Sequence, residues 1–252
     1  MGLLAEDEPP PFRTENGGRD SRFLLTADHA GRLIPRCLGT LGLGEGELTR
    51  HIAWDIGIAG VTTSLADKLG AVAVFQNYSR LVIDCNRQPS VASAFPEMSE
   101  ATAIPGNLNL SQAEKVLRRE ALFDPYHQEI ASHVAARRDE GVIYVAMHSF
   151  TPVYMGVKRG MEVAVLYNRA PRLSKALADL LRLEGDIVVA ENEPYRVTDE
   201  TDYGVPVHAE ANGLDYVEIE IRQDLIEGSA GQEAWAARLA RLLPLALVRL
   251  EG

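Results

Sequence analysis

His29 and His148 are the residues of this chain whose setting points most directly to chemistry. The apolar run 142–147 closes on His148, and 22–27 leads into Asp28-His29-Ala30-Gly31. An apolar, β-branched run of that length reads as a strand buried on both faces. Ionisable side chains are seldom buried without a partner, so each histidine belongs at the C-terminal edge of its strand, facing a crevice. Two imidazoles delivered to one sheet edge begin a zinc hydrolase site, which takes three ligands from histidine and carboxylate and leaves a position open. Asp55 is the expected third ligand. It is an acid on the otherwise apolar stretch 51–57, where a helix is expected, and Gly57 would permit close approach. A hydrogen-bonded structural role is the plain alternative for either histidine, and a capping or surface role for Asp55. Asp28 points away from His29 on an extended chain, so it reads as a cap of the turn at Ala30-Gly31, or else as a hydrogen-bond partner behind the ligands.

The hydrolytic reaction also needs a carboxylate to move the proton of water, and cations for the oxyanion and the substrate. In 216–222, period two puts Glu218, Glu220 and Arg222 on one face and Val217, Ile219 and Ile221 on the other. Glu220, nearer the strand's C-terminal end, is the expected base, with Arg222 beside it as a substrate contact; a surface strand would show the same alternation. The stretch 80–87 supplies Arg80 and the pair Asn86-Arg87, whose guanidinium forks suit a carboxylate. An Asp84–Arg87 structural pair is the alternative. Cys85 sits mid-run, where cysteines are usually inert packing residues. The 193–208 loop, with Tyr195, Arg196 and His208, either closes over substrate or is solvated.

These residues require elements to carry them. Strands are expected at 23–27, 71–76, 81–85, 142–147, 162–167, 187–190 and 216–221, and helices at 51–69, 111–120, 124–140, 174–183 and 232–250. Ser111 and Glu114 form a capping box, Asp124 caps a helix with Pro125 in its first turn, and Gly70 and Gly141 end helices. Alternation of this kind implies a mostly parallel sheet with helices on both faces, an α/β protein. The long loop 93–109 is the stretch most suited to covering a substrate. Residues 1–20 read as a disordered or extended tail and 21–252 as a single domain.

The chain has 252 residues, 46% hydrophobic and 24% charged, with 25 basic against 36 acidic residues and a formal charge of −11. That balance argues against nucleic-acid binding while leaving room for an arginine-lined cleft. Two cysteines without a CxxC spacing fit a reducing compartment. No signal-peptide pattern or membrane-length apolar run occurs, so the expected location is cytoplasmic, without a membrane partner.

Together these stretches resemble the N-formylglutamate amidohydrolase family. The matching segments are Asp28-His29-Ala30-Gly31 with Ile34-Pro35, Trp54-Asp55-Ile56-Gly57, 78–87, Asp124-Pro125-Tyr126-His127, 147–152, 191–195 and 218–225. The strings at 79–87 and His148-Ser149-Phe150-Thr151-Pro152 are the specific ones. The resemblance implies a three-layer carboxypeptidase-like fold, a mixed sheet between helices, and zinc-dependent cleavage of N-formyl-L-glutamate to formate and glutamate in histidine degradation. It implies that Asn86-Arg87 holds a substrate carboxylate and that Glu220 is the base. The His-x-x-Glu ligand pair of carboxypeptidases reads His29-Ala30-Gly31-Arg32 here, which leaves Asp55 as the proposed ligand.

Three readings follow. The first is an amidohydrolase acting on a small acidic N-acyl amino acid, with one divalent ion at His29, Asp55 and His148; zinc leads, and cobalt, manganese or nickel suit the same ligands. The second is a metallopeptidase or cell-wall amidase on the same fold. The third is a non-enzymatic ligand-binding domain. Oligomeric state is not encoded in any of these features.

Overall fold

The computed structural model describes residues 2–16, 21–138 and 141–251. The strands of its main sheet are β1 (Phe12–Glu15), β2 (Phe23–Ala27), β3 (Val72–Gln76), β4 (Ile143–Phe150), β5 (Val163–Leu166), β6 (Val189–Glu191) and β7 (Asp215–Arg222). They form one sheet in the order β1-β3-β2-β4-β7-β5-β6. Strands β3, β2, β4 and β7 are mutually parallel; β1 pairs antiparallel with β3, and β5 antiparallel with β7. The sheet is therefore mixed and mostly parallel, as the alternating pattern predicts.

Side chains alternate across it. Val145, Met147, Val217 and Ile219 face a layer of three helices, α1 (Ile58–Leu69), α4 (Arg172–Glu184) and α5 (Ser229–Glu251). Tyr144, Ala146 and Tyr216 face the other layer, where α3 (Asp124–Ala136) packs with the segment 81–85. Every residue of β4 is buried, which is why its sequence is apolar on both faces up to His148. No helix among the described residues is long and apolar enough to cross a membrane.

Several local expectations are corrected. The segment 81–85 is buried but is not a strand. It crosses the sheet's face as coil, and its carbonyls are satisfied by buried side chains: Asn107 Nδ2 donates to Leu81 O at 2.8 Å and Arg118 Nη1 to Val82 O at 3.0 Å. An apolar run specifies burial, and only backbone pairing makes a strand. The helix expected from residue 51 begins at Ile58, because Gly57 has φ of 82° and the Asp55 amide donates to His29 O at 2.9 Å. Asp124 is not a cap. The short helix α2 (Gln112–Arg118), which does carry the Ser111–Glu114 capping box, runs through a wide turn at Arg119–Phe123 into α3. Pro125 donates no backbone hydrogen bond, and a widened turn accommodates that gap. Gly70 ends α1 in the left-handed conformation, as expected. Of the N-terminal tail, expected to be disordered or extended, 12–15 is extended and paired at the sheet edge, and Leu3 is buried. Residues 17–20 of that tail, and 139–140 at the end of the helix expected at 124–140, lie outside the described residues.

Candidate active site

Strands β2 and β4, the turn at 55–57 and the segment 80–87 meet at the C-terminal edge of the parallel strands. One ligand atom each from His29, Asp55 and His148 falls within 4.8 Å of the others, and all three residues are buried. Asp55 Oδ2 is the centre of this group, 3.1 Å from His148 Nδ1 and 3.7 Å from His29 Nδ1. It also accepts the Ser149 amide at 3.1 Å. Two close backbone approaches hold the segments. A Cβ on Gly57 would lie 2.1 Å from Ile226 O, and one on Gly31 would lie 2.1 Å from the Asn77 backbone.

The outer nitrogen of each histidine meets a further carboxylate. His29 Nε2 lies 2.7 Å from Asp84 Oδ1, and His148 Nε2 lies 3.5 Å from Asp28 Oδ2. A carboxylate only accepts, so Asp84 assigns the proton of His29 to Nε2 and leaves a lone pair on Nδ1. That nitrogen is buried without a hydrogen-bond partner and faces another acceptor, Asp55. Two acceptors turned on one another in a buried site call for a cation between them. With a carboxylate orienting each imidazole from behind, the group fits a divalent metal.

Charge in the site follows from these contacts. Burial alone would raise the Asp55 carboxyl, but the neighbouring His29 and the hydrogen bond to His148 outweigh it and hold it well below the carboxylate range. The same opposition leaves Asp28 near about 2, with His148 overcoming the effect of burial. Burial disfavours a charged His148, yet its hydrogen bonds to Asp28 and Asp55 raise it well above the usual imidazole value. Asp28 also accepts the Tyr126 hydroxyl at 2.7 Å. It is a partner behind the ligands and not the turn cap expected from sequence. Asp84 joins His29 to Arg80, whose Nη2 donates to Asp84 Oδ2 at 2.7 Å, rather than forming the alternative pair with Arg87. The guanidinium of Arg87 lies against Asn86 O, Thr201 O and Asp202.

Glu220 stands directly opposite His148 in the parallel pairing of β7 with β4, so the two side chains share a face. Both Glu218 and Glu220 are buried, which excludes the surface-strand alternative, and each has an oxygen without a partner. Burial, with Asp55 adding to it against the pull of His148, lifts the Glu220 carboxyl to about 7. Glu218 is raised further by burial and by Asp202.

These groups line a cavity of about 480 Å³, together with Arg80, Asn86 and Arg87. Both long loops contribute walls, through Met98 and Glu100 on one side and Tyr195, Arg196 and Asp202 on the other. Three residues depart from expectation. Arg222 does not line the cavity: at the last position of β7 its guanidinium turns back to Asp224 at 2.8 Å and to Met161 O at 3.2 Å. The Asn86 side chain reaches the cavity, but its atoms are engaged in tethering the second loop, accepting from the amides of Tyr203 and Gly204 at 3.0 Å and donating to Asp202 at 3.2 Å. His208 is likewise no lid residue; it is buried, with Nε2 2.9 Å from His127 Nδ1. Burial raises the Cys85 thiol well above its ordinary range, against a role as nucleophile. Asp84 and Tyr126 are the site residues that sequence reasoning missed in these roles. The signal for Asp84 is that a metal-binding imidazole wants an acceptor on its other nitrogen, and few acids lie in the strings concerned; Tyr126, a donor to Asp28, carries no such signal.

A model of the N-formylglutamate amidohydrolase family matches residues 21–227. The crystal structure of gene product Atu2144 from Agrobacterium tumefaciens is similar over 99% of this chain and 100% of its own, at 40% identity and a TM-score of 0.95. The N-formylglutamate amidohydrolase of Ralstonia eutropha JMP134 shares the fold at 20% identity and a TM-score of 0.65, with 96% of this chain and 97% of that one covered. No curated protein matches the sequence.

Proposed function

Because the chain belongs to the N-formylglutamate amidohydrolase family, we propose that it is a metal-dependent amidohydrolase of small N-acyl amino acids, with N-formyl-L-glutamate as the leading substrate. The observation that carries this reading is the meeting of His29, Asp55 and His148 within 4.8 Å, with Glu220 registered opposite His148. His29, Asp55 and His148 would hold one divalent ion, zinc first, which supplies Lewis acidity to the carbonyl and to the attacking water.

The chain's own groups do the rest. Glu220, lifted to about 7 by burial, is matched to taking a proton from water and returning it to the leaving nitrogen near neutrality. The amide C–N bond breaks, the acyl carbon keeps the hydroxyl oxygen, and the amine nitrogen receives the proton. Of the two arginines in the 80–87 segment, Arg87 is the better placed for the substrate carboxylate. Its nearest acid, Asp202, lies 3.9 Å away, whereas Arg80 is already neutralised by Asp84 at 2.7 Å. Asn86 supports that clamp by holding the loop behind it, and Arg80 completes the positive edge of the ligand group.

The test is release of formate from N-formyl-L-glutamate by protein stripped with a chelator and reconstituted with zinc, cobalt, manganese or nickel. Activity lost on stripping and restored by an added ion supports the reading. Full activity in rigorously metal-free protein refutes it, and faster cleavage of short peptides than of formylglutamate refutes the substrate.

A further inference from the structure

Beyond the metal-ligand group, the cavity has a wall that a formylated amino acid does not need. Phe150 lies two residues past His148 on β4 and therefore on the same face. Tyr154, on the hairpin that follows, and Tyr195, on the second long loop, line the same cavity. The Arg159 guanidinium stands among all three rings, 5.7 Å from the Phe150 centroid, 4.8 Å from Tyr154 and 5.0 Å from Tyr195. Its Nη1 donates to the Tyr195 hydroxyl at 3.0 Å, which fixes two separate loops to one another. No carboxylate pairs with Arg159 among the described residues.

Tyr154 and Tyr195 are 40% and 41% exposed although they stand in a built cluster. Single exposed tyrosines are ordinary, but rings gathered round an unneutralised cation at a cavity wall form a surface that gains by being covered. The cavity's 480 Å³ falls within the range of about 300–1,000 Å³ that encloses drug-sized ligands, and a formyl group leaves most of that space to water. Arg87 is assigned to one carboxylate of the amino acid, and of the parts that remain the acyl group is the one that can be flat and apolar, as a wall of rings requires.

We propose that Phe150, Tyr154 and Tyr195, braced by Arg159, form an acyl subsite for a flat aromatic group, making aromatic N-acyl amino acids better ligands of this protein than their formyl counterparts. The assignment rests on the amide-cleaving reading of the site. A flat π-system suits it because a wall of rings takes such a group in offset-stacked or edge-to-face contact.

The test uses metal-loaded protein carrying Glu220→Gln, titrated calorimetrically with N-benzoyl-L-glutamate and N-formyl-L-glutamate, alongside turnover of both compounds by the wild type. Covering one ring should make the benzoyl compound bind about tenfold more tightly. Tyr154→Ala, on an exposed hairpin and so safe for folding, should remove most of that advantage, and Tyr154→Phe should keep it. Equal affinities, absence of binding by either compound, or an advantage unmoved by Tyr154→Ala overturns the subsite. If the preference holds while the wild type cleaves neither compound, the hydrolysis reading falls and the subsite stands. If the wild type cleaves formylglutamate but shows no benzoyl preference in binding, the reverse is true.

Discussion

Asp84→Asn probes the site through a residue that need not touch the substrate. In the native protein Asp84 accepts from His29 Nε2 at 2.7 Å, the Asn86 amide at 2.9 Å, and Arg80 Nε and Nη2 at 3.2 and 2.7 Å. Asparagine keeps the shape but turns one acceptor oxygen into a donor. Whichever way the amide lies, donor then meets donor, either at His29 and Asn86 or at Arg80. The His29 proton is no longer fixed on Nε2, and the lone pair of Nδ1 is no longer held toward Asp55. Loss of such an orienting carboxylate costs about 10–100-fold in metal affinity, or about 1.4–2.7 kcal/mol. Metal-free stability should fall as well. Breaking a buried ion pair costs about 3–5 kcal/mol, and the low end applies because the Arg80 side chain is 25% exposed. The assay is a competition titration of zinc against a chromophoric chelator, with urea unfolding of the metal-free protein beside it. Asp28→Asn is the internal comparison: its contact to His148 Nε2 is 3.5 Å, so its loss of affinity should be the smaller of the two. A folded Asp84→Asn protein that binds zinc within twofold of the wild type would refute the assignment of His29 Nδ1 as a ligand.

Other outcomes follow from the same geometry. Glu220→Gln should lower kcat by about 10²–10⁴-fold with metal content unchanged on elemental analysis, and Glu218→Gln should cost less, because Glu218 lies one strand repeat further from the His148 register. Burial holds His127 down to about 3 and His208 to about 4, so between about pH 6.5 and 5 the unfolded chain takes up protons there that the folded one does not, whereas Glu220, lifted to about 7, and Glu218 take up protons first in the folded chain and act the other way. The histidine share, about 2 kcal/mol per ring at pH 5, is therefore read in the double variant Glu218→Gln, Glu220→Gln, whose urea midpoint should fall from about pH 6.5 to 5; a flat profile in that variant would count against two neutral buried rings. Gly57→Ala places a side chain at φ of 82° and against Ile226 O at 2.1 Å, and should destabilise by about 3 kcal/mol or more; a midpoint equal to wild type would show that the 55–57 turn is not so constrained.

The period-two run of 216–222 showed in advance which face of β7 carries Glu218 and Glu220, and the apolar run before His148 showed a strand buried on both sides. Asp55 was found as a lone acid in apolar surroundings, although its expected helix proved to be a turn. What patterning left open were the partners. Nothing in the spacing of Asp84 distinguishes Arg80, Arg87 or His29 as its neighbour, since the coil at 81–85 reads like a strand. Arg222 matched the face periodicity of Glu220 but lies beyond the cavity edge, because a strand's last residue is aimed by the turn that follows it.

Sequence by itself determined the composition of each element, the alternation that sorts side chains to two faces, and the residue types able to hold a cation. Those are local properties, fixed by a chain's own periodicity and by the cost of burying charge. Only tertiary structure decided that His29, Asp55 and His148, drawn from three separate segments, gather round one carboxylate oxygen, and that Asn86 is used up in tethering a loop. Such choices depend on which donors and acceptors are brought together across long loops, and that information lies in the sheet order and the packing, not in any single segment.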